Sequence, residues 1–344
     1  MTGQDHVSTD TSEHTLAASP APPAEPPPSS RRRSLLPLLG LGVSVIALAA
    51  VVWWAAHQPA PQLPNTPGRF GALLGAIALY ALATLVRGER WLRLLEDEGA
   101  TPQRKDAHAL NVVGYMGNNV LPARAGDAIR VFLMAPRADA SKRTIVGTLV
   151  AERILDVSVL LVIFVIVGYG LLGEVGGNSV EWIAIAAVAV IAAAAIGWRF
   201  IRRNEKIHNA LAPLMSATIG LRRAHHGLLL LAFTLVIWTI EAGVWMSTAA
   251  AVGFLMNPIE GLYMVALASV FAMIPSGPGY AGTQDAAVAT GTKALGGTGA
   301  TAVGYLLMLR LVIVIPITVV GLILLVARYG GFKNLRAARA EARS

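Results

Sequence analysis

Two apolar stretches of this chain are interrupted by proline and glycine where an unbroken helix would otherwise cross a membrane. The first spans about 108–136 and breaks around Pro122, and the second spans about 259–295 and breaks between Pro275 and Gly282. Lipid offers no hydrogen bonds to freed backbone groups, so irregular backbone at that depth survives only inside the protein or beside a polar cavity. Interruptions in corresponding places of two halves therefore indicate a transport site.

The composition agrees with a chain that crosses the membrane several times. Hydrophobic residues make up 55 % and charged residues 14 %, with a mean hydropathy of +0.59, whereas soluble domains carry about 25 % charged residues. The chain has no cysteine, which excludes disulfides and thiol chemistry. It also has neither an HExxH sequence nor a GxxxxGK[ST] phosphate loop. We therefore expect no catalytic residue, no metal and no cofactor.

The apolar runs and the basic residues together predict the topology. We expect six full spans, at 35–56, 70–87, 144–172, 182–198, 228–253 and 301–326. The two interrupted stretches are predicted to be re-entrant hairpins, and tilted full spans remain an alternative. With the N-terminus inside, nearly all Lys and Arg residues outside the apolar runs, Arg87 and Arg90 included, fall in cytoplasmic loops. The net charge of +8 then attracts anionic lipid headgroups, and nucleic acid is not an expected partner.

These spans define the predicted domains and fold class. Residues 1–34 form a disordered, Pro-rich cytoplasmic tail, because they are too polar to bury a core, and 327–344 form a short basic cytoplasmic tail. Between them, a first repeat (about 70–172) and a second repeat (about 228–326) are joined by the connector 182–198. Their hairpins enter from opposite faces, so the fold is an all-α polytopic membrane protein with an inverted-topology repeat.

The first interruption carries a cluster of charged residues. Pro122 ends one half-helix and another begins near Ala123, where free N–H groups and the helix dipole favour an anion. Arg124 and Arg130 add positive charge suited to phosphate, and Asp127 is spaced to hold both guanidinium groups. One interpretation is a lipid-phosphate site open to the cytoplasm. The other is that the three charges merely neutralise one another at the membrane interface.

Further polar residues accompany this cluster. Asn118 and Asn119 either bind a headgroup or satisfy the backbone freed near the proline. Glu152, Arg153 and Asp156 lie within the span 144–172, where each ionisable group costs about 2.5–3.5 kcal/mol unless it has a partner. Arg153 is expected to pair with Asp127 or with Asp156. The set serves either as part of the translocation site or as a structural ion-pair network.

The second interruption combines Pro278, Gly279 and Gly282 with one acid. Thr283 is the expected N-cap of the following helix, with Asp285 in its first turn. Asp285 is then either a favourable acid at a helix start or a carboxylate that carries protons or balances a cationic headgroup. Two other charges lie alone in apolar spans, Glu241 and Arg310, and a mutual ion pair is the simplest prediction for them.

At these residues the chain resembles the transmembrane domain of lysylphosphatidylglycerol synthases, a flippase-like family, over about residues 35–326. Three patterns carry the resemblance: Asn119-x-x-Pro122-x-Arg124-x-Gly126-Asp127-x-x-Arg130, Glu152-Arg153-x-x-Asp156, and Pro275-x-x-Pro278-Gly279-x-x-Gly282-x-x-Asp285. The last departs from the family pattern, which usually has glutamate at the position of Asp285. Because about 18 residues follow the predicted last span, we expect a stand-alone member without the soluble synthase domain.

The resemblance implies translocation of a lipid across the cytoplasmic membrane. The expected cargo is an anionic or aminoacylated phospholipid, or a polyprenyl-linked lipid. Two other functions remain open, which are an intramembrane transferase acting on a lipid-linked substrate and a non-catalytic membrane scaffold. The absence of a cysteine and of a histidine cluster favours a transporter over an enzyme.

Overall fold

The computed structural model describes residues 36–121, 124–172, 224–272 and 278–331. All regular elements in these ranges are helical. The tail 1–34, the connector 182–198, Pro122 and most of 327–344 lie outside the described residues, as do the predictions made for them. The α-helices, numbered in chain order, are α1 (Leu36–Ala56), α2 (Pro67–Asp97), α3 (Arg104–Val120), α4 (Ala125–Met134), α5 (Lys142–Leu172), α6 (Ala224–Ala251), α7 (Pro258–Ala272), α8 (Thr283–Ala294), α9 (Gly299–Leu309) and α10 (Ile315–Tyr329).

Three of the described helical segments are long and apolar enough to cross a membrane: Pro67–Asp97, His225–Ala251 and Gly299–Tyr329. The last combines α9 and α10 with a π-helical turn, Arg310–Val314, between them. The chain is therefore a membrane protein whose spans coincide with the apolar runs of the sequence. The second helix is longer than its predicted span, because the helical backbone continues past Arg87 to Asp97.

Both interruptions are present. The helix α3 ends at Val120 and α4 begins at Ala125, two residues later than expected, while α7 ends at Ala272 and α8 begins at Thr283. Thr283 is thus the first residue of α8 rather than its N-cap, which is Gly282. A positive φ of 88° at this position suits glycine, and the Asp285 carboxylate accepts a hydrogen bond from the Gly282 N–H at 2.9 Å.

The chain contains two halves whose helices follow the same order of long and short lengths. In the first half (α2 to α5) the helices have 31, 17, 10 and 31 residues. In the second half (α6 to α10) the lengths are 28, 15 and 12 residues, followed by the 31 residues of α9 and α10 with their π turn. A long helix, an interrupted pair and another long helix therefore occur twice.

The packing of the two halves follows the same repetition. The first helices of the halves, α2 and α6, pack along each other in antiparallel directions. Their contacts join Leu79 with Gly243, Arg90 with Thr234, and Asp97 with His226, and Arg69 lies against Gly253 just beyond the end of α6. The second helix of each half packs against the last helix of the other half, α3 against α10 and α7 against α5. Because each half packs its second helix against the last helix of the other half, the two interruptions lie close to each other.

Glycines allow α3 and α4 to pack backbone against backbone. A Cβ atom at Gly126 would overlap the Gly114 carbonyl oxygen and lie 2.6 Å from the Asn118 nitrogen. A Cβ atom at Gly117 would lie 2.6 Å from the Gly126 Cα. Small residues at such helix contacts are typical of membrane proteins, where close packing replaces the hydrophobic effect as the source of association. The close approach fixes the start of α4 against the end of α3.

Candidate functional site

A cavity of about 360 Å³ lies where the two interruptions meet, and both halves line it. The contact between the interruptions is direct. The Arg124 guanidinium lies 5.1 Å from the centre of the Tyr280 ring and donates a hydrogen bond to the Ala272 carbonyl oxygen at 2.9 Å. The Asn119 carbonyl oxygen lies 3.6 Å from where a Cβ atom at Gly279 would be. The described residues of the interruptions that line the cavity, Arg124, Gly279 and Tyr280, thus lie beside a polar space, as their place in apolar sequence requires.

Charged side chains converge on this cavity from most of the surrounding helices. Those that line it are Arg87, Arg124, Arg153, Asp156, Glu241, Asp285 and Arg310. Aromatic rings and neutral polar groups complete the lining, among them Tyr80, Tyr115, Trp238, Trp245, Tyr280, Asn118, Asn119, Ser269 and Gln284. Ionised groups inside a membrane protein are costly unless they have partners or contact water. Their arrangement therefore depends on how they pair.

Two Asp–Arg pairs occupy equivalent positions in the two halves. Asp127 is the third residue of α4, and Asp285 is the third residue of α8. Arg153, the twelfth residue of α5, donates to Asp127 at 3.4 Å. Arg310, the twelfth residue of the segment that begins at Gly299, donates through Nε to Asp285 at 3.0 Å. Each short helix is therefore tied at its start to the long helix that follows it.

The pair of Asp285 and Arg310 has two features that the pair of Asp127 and Arg153 lacks. Arg310 also donates to the Gly279 carbonyl oxygen, so it ties the interruption itself to the long helix. In addition, Arg310 is the first residue of the π-helical turn. Single π-helical turns within α-helices are frequent at functional sites. The two pairs are thus equivalent in position but differ in their surroundings.

In addition to these two pairs, a larger group of charged residues beside the cavity joins the two halves. Arg90 binds both oxygens of Asp156, at 2.6 and 3.1 Å, and the hydroxyl of Thr234 at 2.9 Å. Its guanidinium also lies 3.7 Å from Glu152, which accepts a hydrogen bond from Arg130 at 2.8 Å. The side chains of Arg90, Arg130 and Glu152 are almost completely buried. This group is a continuous ion-pair network, as buried charges require.

The predicted ion pair between Glu241 and Arg310 is wrong. Glu241 instead accepts a hydrogen bond from Arg87 at 2.6 Å, with both side chains buried, and Arg310 pairs with Asp285. The reason is the antiparallel packing of α2 and α6, which places Arg87 opposite Glu241. Arg87 and Arg90 were predicted to lie in a cytoplasmic loop, but they are 8 % and 1 % exposed.

The expectation that Asp127 holds both Arg124 and Arg130 is also wrong. Asp127 pairs with Arg153 and accepts a hydrogen bond from Asn118. Arg130 points instead to Glu152, with its guanidinium 3.9 Å from the centre of the Trp91 ring. Although Arg124 and Arg130 flank Asp127 in sequence, the tertiary contacts of α4 with α5 and α2 provide partners of better geometry.

Among the described residues of the site, Arg124 is the arginine that has no carboxylate partner. In the described part of the chain, the site holds six arginines (Arg87, Arg90, Arg124, Arg130, Arg153 and Arg310) and five carboxylates (Asp127, Glu152, Asp156, Glu241 and Asp285). Each of the other five arginines forms an ion pair with one of these carboxylates. Among the described residues, Arg124 contacts a carbonyl oxygen and an aromatic ring but no carboxylate.

Backbone strain also marks the contact between the interruptions. Arg124 and Tyr280 have φ angles of 53° and 56°, in the left-handed region that non-glycine residues seldom adopt. Such conformations cost of order 1–3 kcal/mol each and persist where the surrounding structure enforces them, often at functional sites. Here the two strained residues contact each other, and both line the cavity.

The cavity contains part of the predicted site. The predicted residues that line it are Asn118, Asn119, Arg124, Arg153, Asp156, Gly279 and Asp285, together with Glu241 and Arg310. Asp127, Arg130, Glu152, Pro278 and Gly282 lie outside the lining and support it. Sequence reasoning missed Arg87, Arg90 and Tyr280. The arginines could have been found from helical spacing, because Thr84, Arg87, Arg90, Trp91 and Leu94 share one buried face of α2.

The fold and the site define a helical membrane protein in which two interrupted helix pairs enclose a charged cavity. A family model described as the lysylphosphatidylglycerol synthase transmembrane region matches residues 38–321. The chain therefore belongs to this family, in agreement with the resemblance seen in its motifs, and a lipid-related function in the membrane follows from that membership.

The chain is also similar to part of a relative that is named as an enzyme. The chain is 28 % identical over 146 residues to a protein named glycosyltransferase AglD from Haloferax volcanii. The matched segment covers 42 % of this chain and 23 % of the relative, so the similarity spans less than a quarter of the relative's length. No solved structure matches this chain significantly.

Proposed function

We propose that this protein is a lipid translocase that moves a phospholipid or a lipid-linked headgroup across the cell membrane. The single observation that carries the proposal is the charged cavity enclosed by two interrupted helix pairs, one from each half of the chain. A cavity of this kind gives a headgroup polar surroundings within the membrane, while the acyl chains remain in lipid. Membership in a lipid-related family supports the same class of cargo.

The membrane arrangement we propose is an inverted-topology repeat with re-entrant hairpins. The repeated order of helix lengths, the antiparallel packing of α2 with α6 and the reciprocal packing of α3 with α10 and of α5 with α7 support it. In this arrangement α3 and α4 enter from the cytoplasm, and α7 and α8 enter from outside. Both chain termini are cytoplasmic, and six full spans accompany the hairpins.

Alternating access follows from this symmetry. The two equivalent Asp–Arg pairs, Asp127 with Arg153 and Asp285 with Arg310, tie each short helix to a long helix. Loosening one pair while the other remains formed opens the cavity toward one face only. Inverted repeats support transport of this type because the two halves can exchange conformations around a fixed central site. The sequence contains no GxxxxGK[ST] phosphate loop.

Reconstitution of the purified full-length chain into vesicles tests the proposal. Lipids with a fluorescent acyl chain are incorporated in both leaflets, and a membrane-impermeant reductant quenches the label that is exposed outside. We expect quenching beyond one leaflet in proteoliposomes but not in protein-free vesicles or in vesicles with an unrelated helical membrane protein. Asp127→Asn and Asp285→Asn should each slow transfer by about tenfold, since each weakens one pair by roughly 1–2 kcal/mol.

The matched control is Arg143→Gln at the exposed start of α5, which should transfer lipid at the rate of the unchanged protein. Absence of transfer for anionic, zwitterionic and polyprenyl-linked lipids alike would overturn the proposed translocase.

A second candidate function is a transferase that acts on a lipid-linked sugar, and the name of the Haloferax volcanii relative, a glycosyltransferase, favours it. Such an enzyme needs a group that is free to act as a base or nucleophile. In the described part of the chain, the three acids that line the cavity are each paired with an arginine: Asp156 with Arg90, Glu241 with Arg87, and Asp285 with Arg310. Formation of a glycosylated lipid by the purified protein would establish this alternative.

A further inference from the structure

The charge balance of the cavity distinguishes among the lipids that the site could accept. The group of arginines and carboxylates described above has one arginine more than it has carboxylates. The surplus residue, Arg124, uses one of its N–H groups to bind the Ala272 carbonyl oxygen and lies against the Tyr280 ring. A guanidinium carries five N–H donors in a planar fork that matches phosphate oxygens. With respect to the described residues, most of its donors therefore remain available for an anion.

The carboxylates of the cavity, in contrast, leave no partner for a cationic headgroup among the described residues of the lining. Asp156 binds Arg90 through both oxygens, Glu241 binds Arg87 at 2.6 Å, and Asp285 binds Arg310 and caps α8. An ammonium group entering this space meets no carboxylate that is free of an arginine within the described lining. Transfer of an unpaired ammonium from water into a buried site is strongly unfavourable.

We propose that the cavity selects a lipid phosphodiester with an uncharged headgroup and rejects an aminoacylated one. This inference rests on the proposed function and specifies its cargo. The single negative charge of the phosphodiester balances the surplus arginine, and Tyr280 holds the guanidinium plane in place by a cation–π contact. A lysyl ester adds two ammonium groups without a free carboxylate to receive them. Phosphatidylglycerol and a polyprenyl-phosphate hexose share the selected chemistry.

Equilibrium binding to the detergent-solubilised full-length chain tests this selection independently of transport. The probes are short-chain phosphatidylglycerol, its lysyl ester, phosphatidylcholine and a short polyprenyl-phosphate hexose, and ligand-induced thermal stabilisation reports their affinities. We expect the lysyl ester and phosphatidylcholine to bind at least tenfold more weakly than the better of the two phosphodiesters with neutral headgroups. Comparison of those two distinguishes a phospholipid from a sugar-linked lipid as the source.

Variants at position 124 assign the effect to the surplus arginine. Arg124→Gln should weaken binding of the preferred phosphodiester by roughly tenfold or more, since hydrogen bonds to charged groups are the strong ones. Arg124→Lys should retain part of the affinity, and Arg124→Glu should reverse the preference toward the lysyl ester. Arg143→Gln controls for the loss of one positive charge. Melting temperatures without lipid establish that each variant is folded.

Equal affinity for phosphatidylglycerol and its lysyl ester would overturn the inference, as would unchanged phosphodiester affinity in Arg124→Gln. Either result leaves the translocase proposal intact if vesicles still transfer lipid. Conversely, selective binding without transfer supports the site and removes the translocase. The two proposals therefore fail on different measurements.

Discussion

Arg87 of α2 donates a hydrogen bond to Glu241 of α6 at 2.6 Å, and both side chains are buried. This ion pair joins the first helices of the two halves beside the cavity. The Arg87 guanidinium also lies 5.8 Å from the ring centres of Tyr115 and Trp238. The pair therefore links the packing of the halves to the lining of the site.

Removing one partner of this pair should destabilise the protein more than removing both. Glu241→Gln leaves Arg87 buried without a counter-charge and should lower the free energy of unfolding by about 3–5 kcal/mol. The double variant Arg87→Met with Glu241→Met should recover most of that loss. Unfolding in detergent micelles measures both. A double-mutant cycle that couples Glu241 with Arg310 instead would contradict the assignment.

The close contact of α3 and α4 predicts a large effect at one glycine and a small effect at another. Gly126→Ala places a Cβ atom against the Gly114 carbonyl oxygen and should lower the free energy of unfolding by about 1–3 kcal/mol or more. Gly75→Ala is the matched control, because nothing lies within 4 Å of its added Cβ. This change in the middle of α2 should be neutral or stabilising by up to about 1 kcal/mol. Similar melting temperatures for the two variants would argue against the packing described.

The stacking of Arg124 on Tyr280 predicts that the aromatic ring matters and its hydroxyl does not. Tyr280→Phe should bind phosphatidylglycerol as the unchanged protein does. Tyr280→Leu should weaken binding by about 0.5–2 kcal/mol, because the cation–π contact is lost. Thermal stabilisation by short-chain lipid measures both variants. An equal loss of lipid affinity in Tyr280→Phe and Tyr280→Leu would show that the hydroxyl group, rather than the ring, positions the guanidinium.

The inverted repeat predicts opposite accessibility for the open ends of the two hairpins. The chain has no cysteine, so single cysteines can be introduced without a background. Lys105 at the exposed start of α3 and Leu255, 82 % exposed between α6 and α7, are suitable positions. With a membrane-impermeant maleimide on intact cells, Leu255→Cys should label and Lys105→Cys should label only after lysis.

Ala83→Cys is the control for a buried position, because Ala83 is fully buried in α2. It should remain unlabelled in both conditions. Labelling of Lys105→Cys and Leu255→Cys from the same side would contradict the inverted arrangement.

The amino-acid sequence by itself determined the helical membrane class, the positions of the described apolar helices and the two interruptions. These features depend on local physics: long apolar runs must be helical in lipid, and closely spaced Pro and Gly residues favour a break in a helix. The sequence also marked Asp285, Arg124 and Asp156 as unusual, because charged residues are costly in apolar surroundings.

Only the tertiary structure decided which charges pair. Glu241 could have met Arg310 or Arg87, and the antiparallel packing of α2 on α6 selected Arg87. Arg130 lies three residues from Asp127, yet the packing of α4 against α5 gives it Glu152 instead. Sequence spacing constrains neighbours within one helix, whereas partners across helices depend on crossing angle and depth. That difference leaves Arg124 without a carboxylate in the described cavity, and the selectivity proposed for the site follows from it.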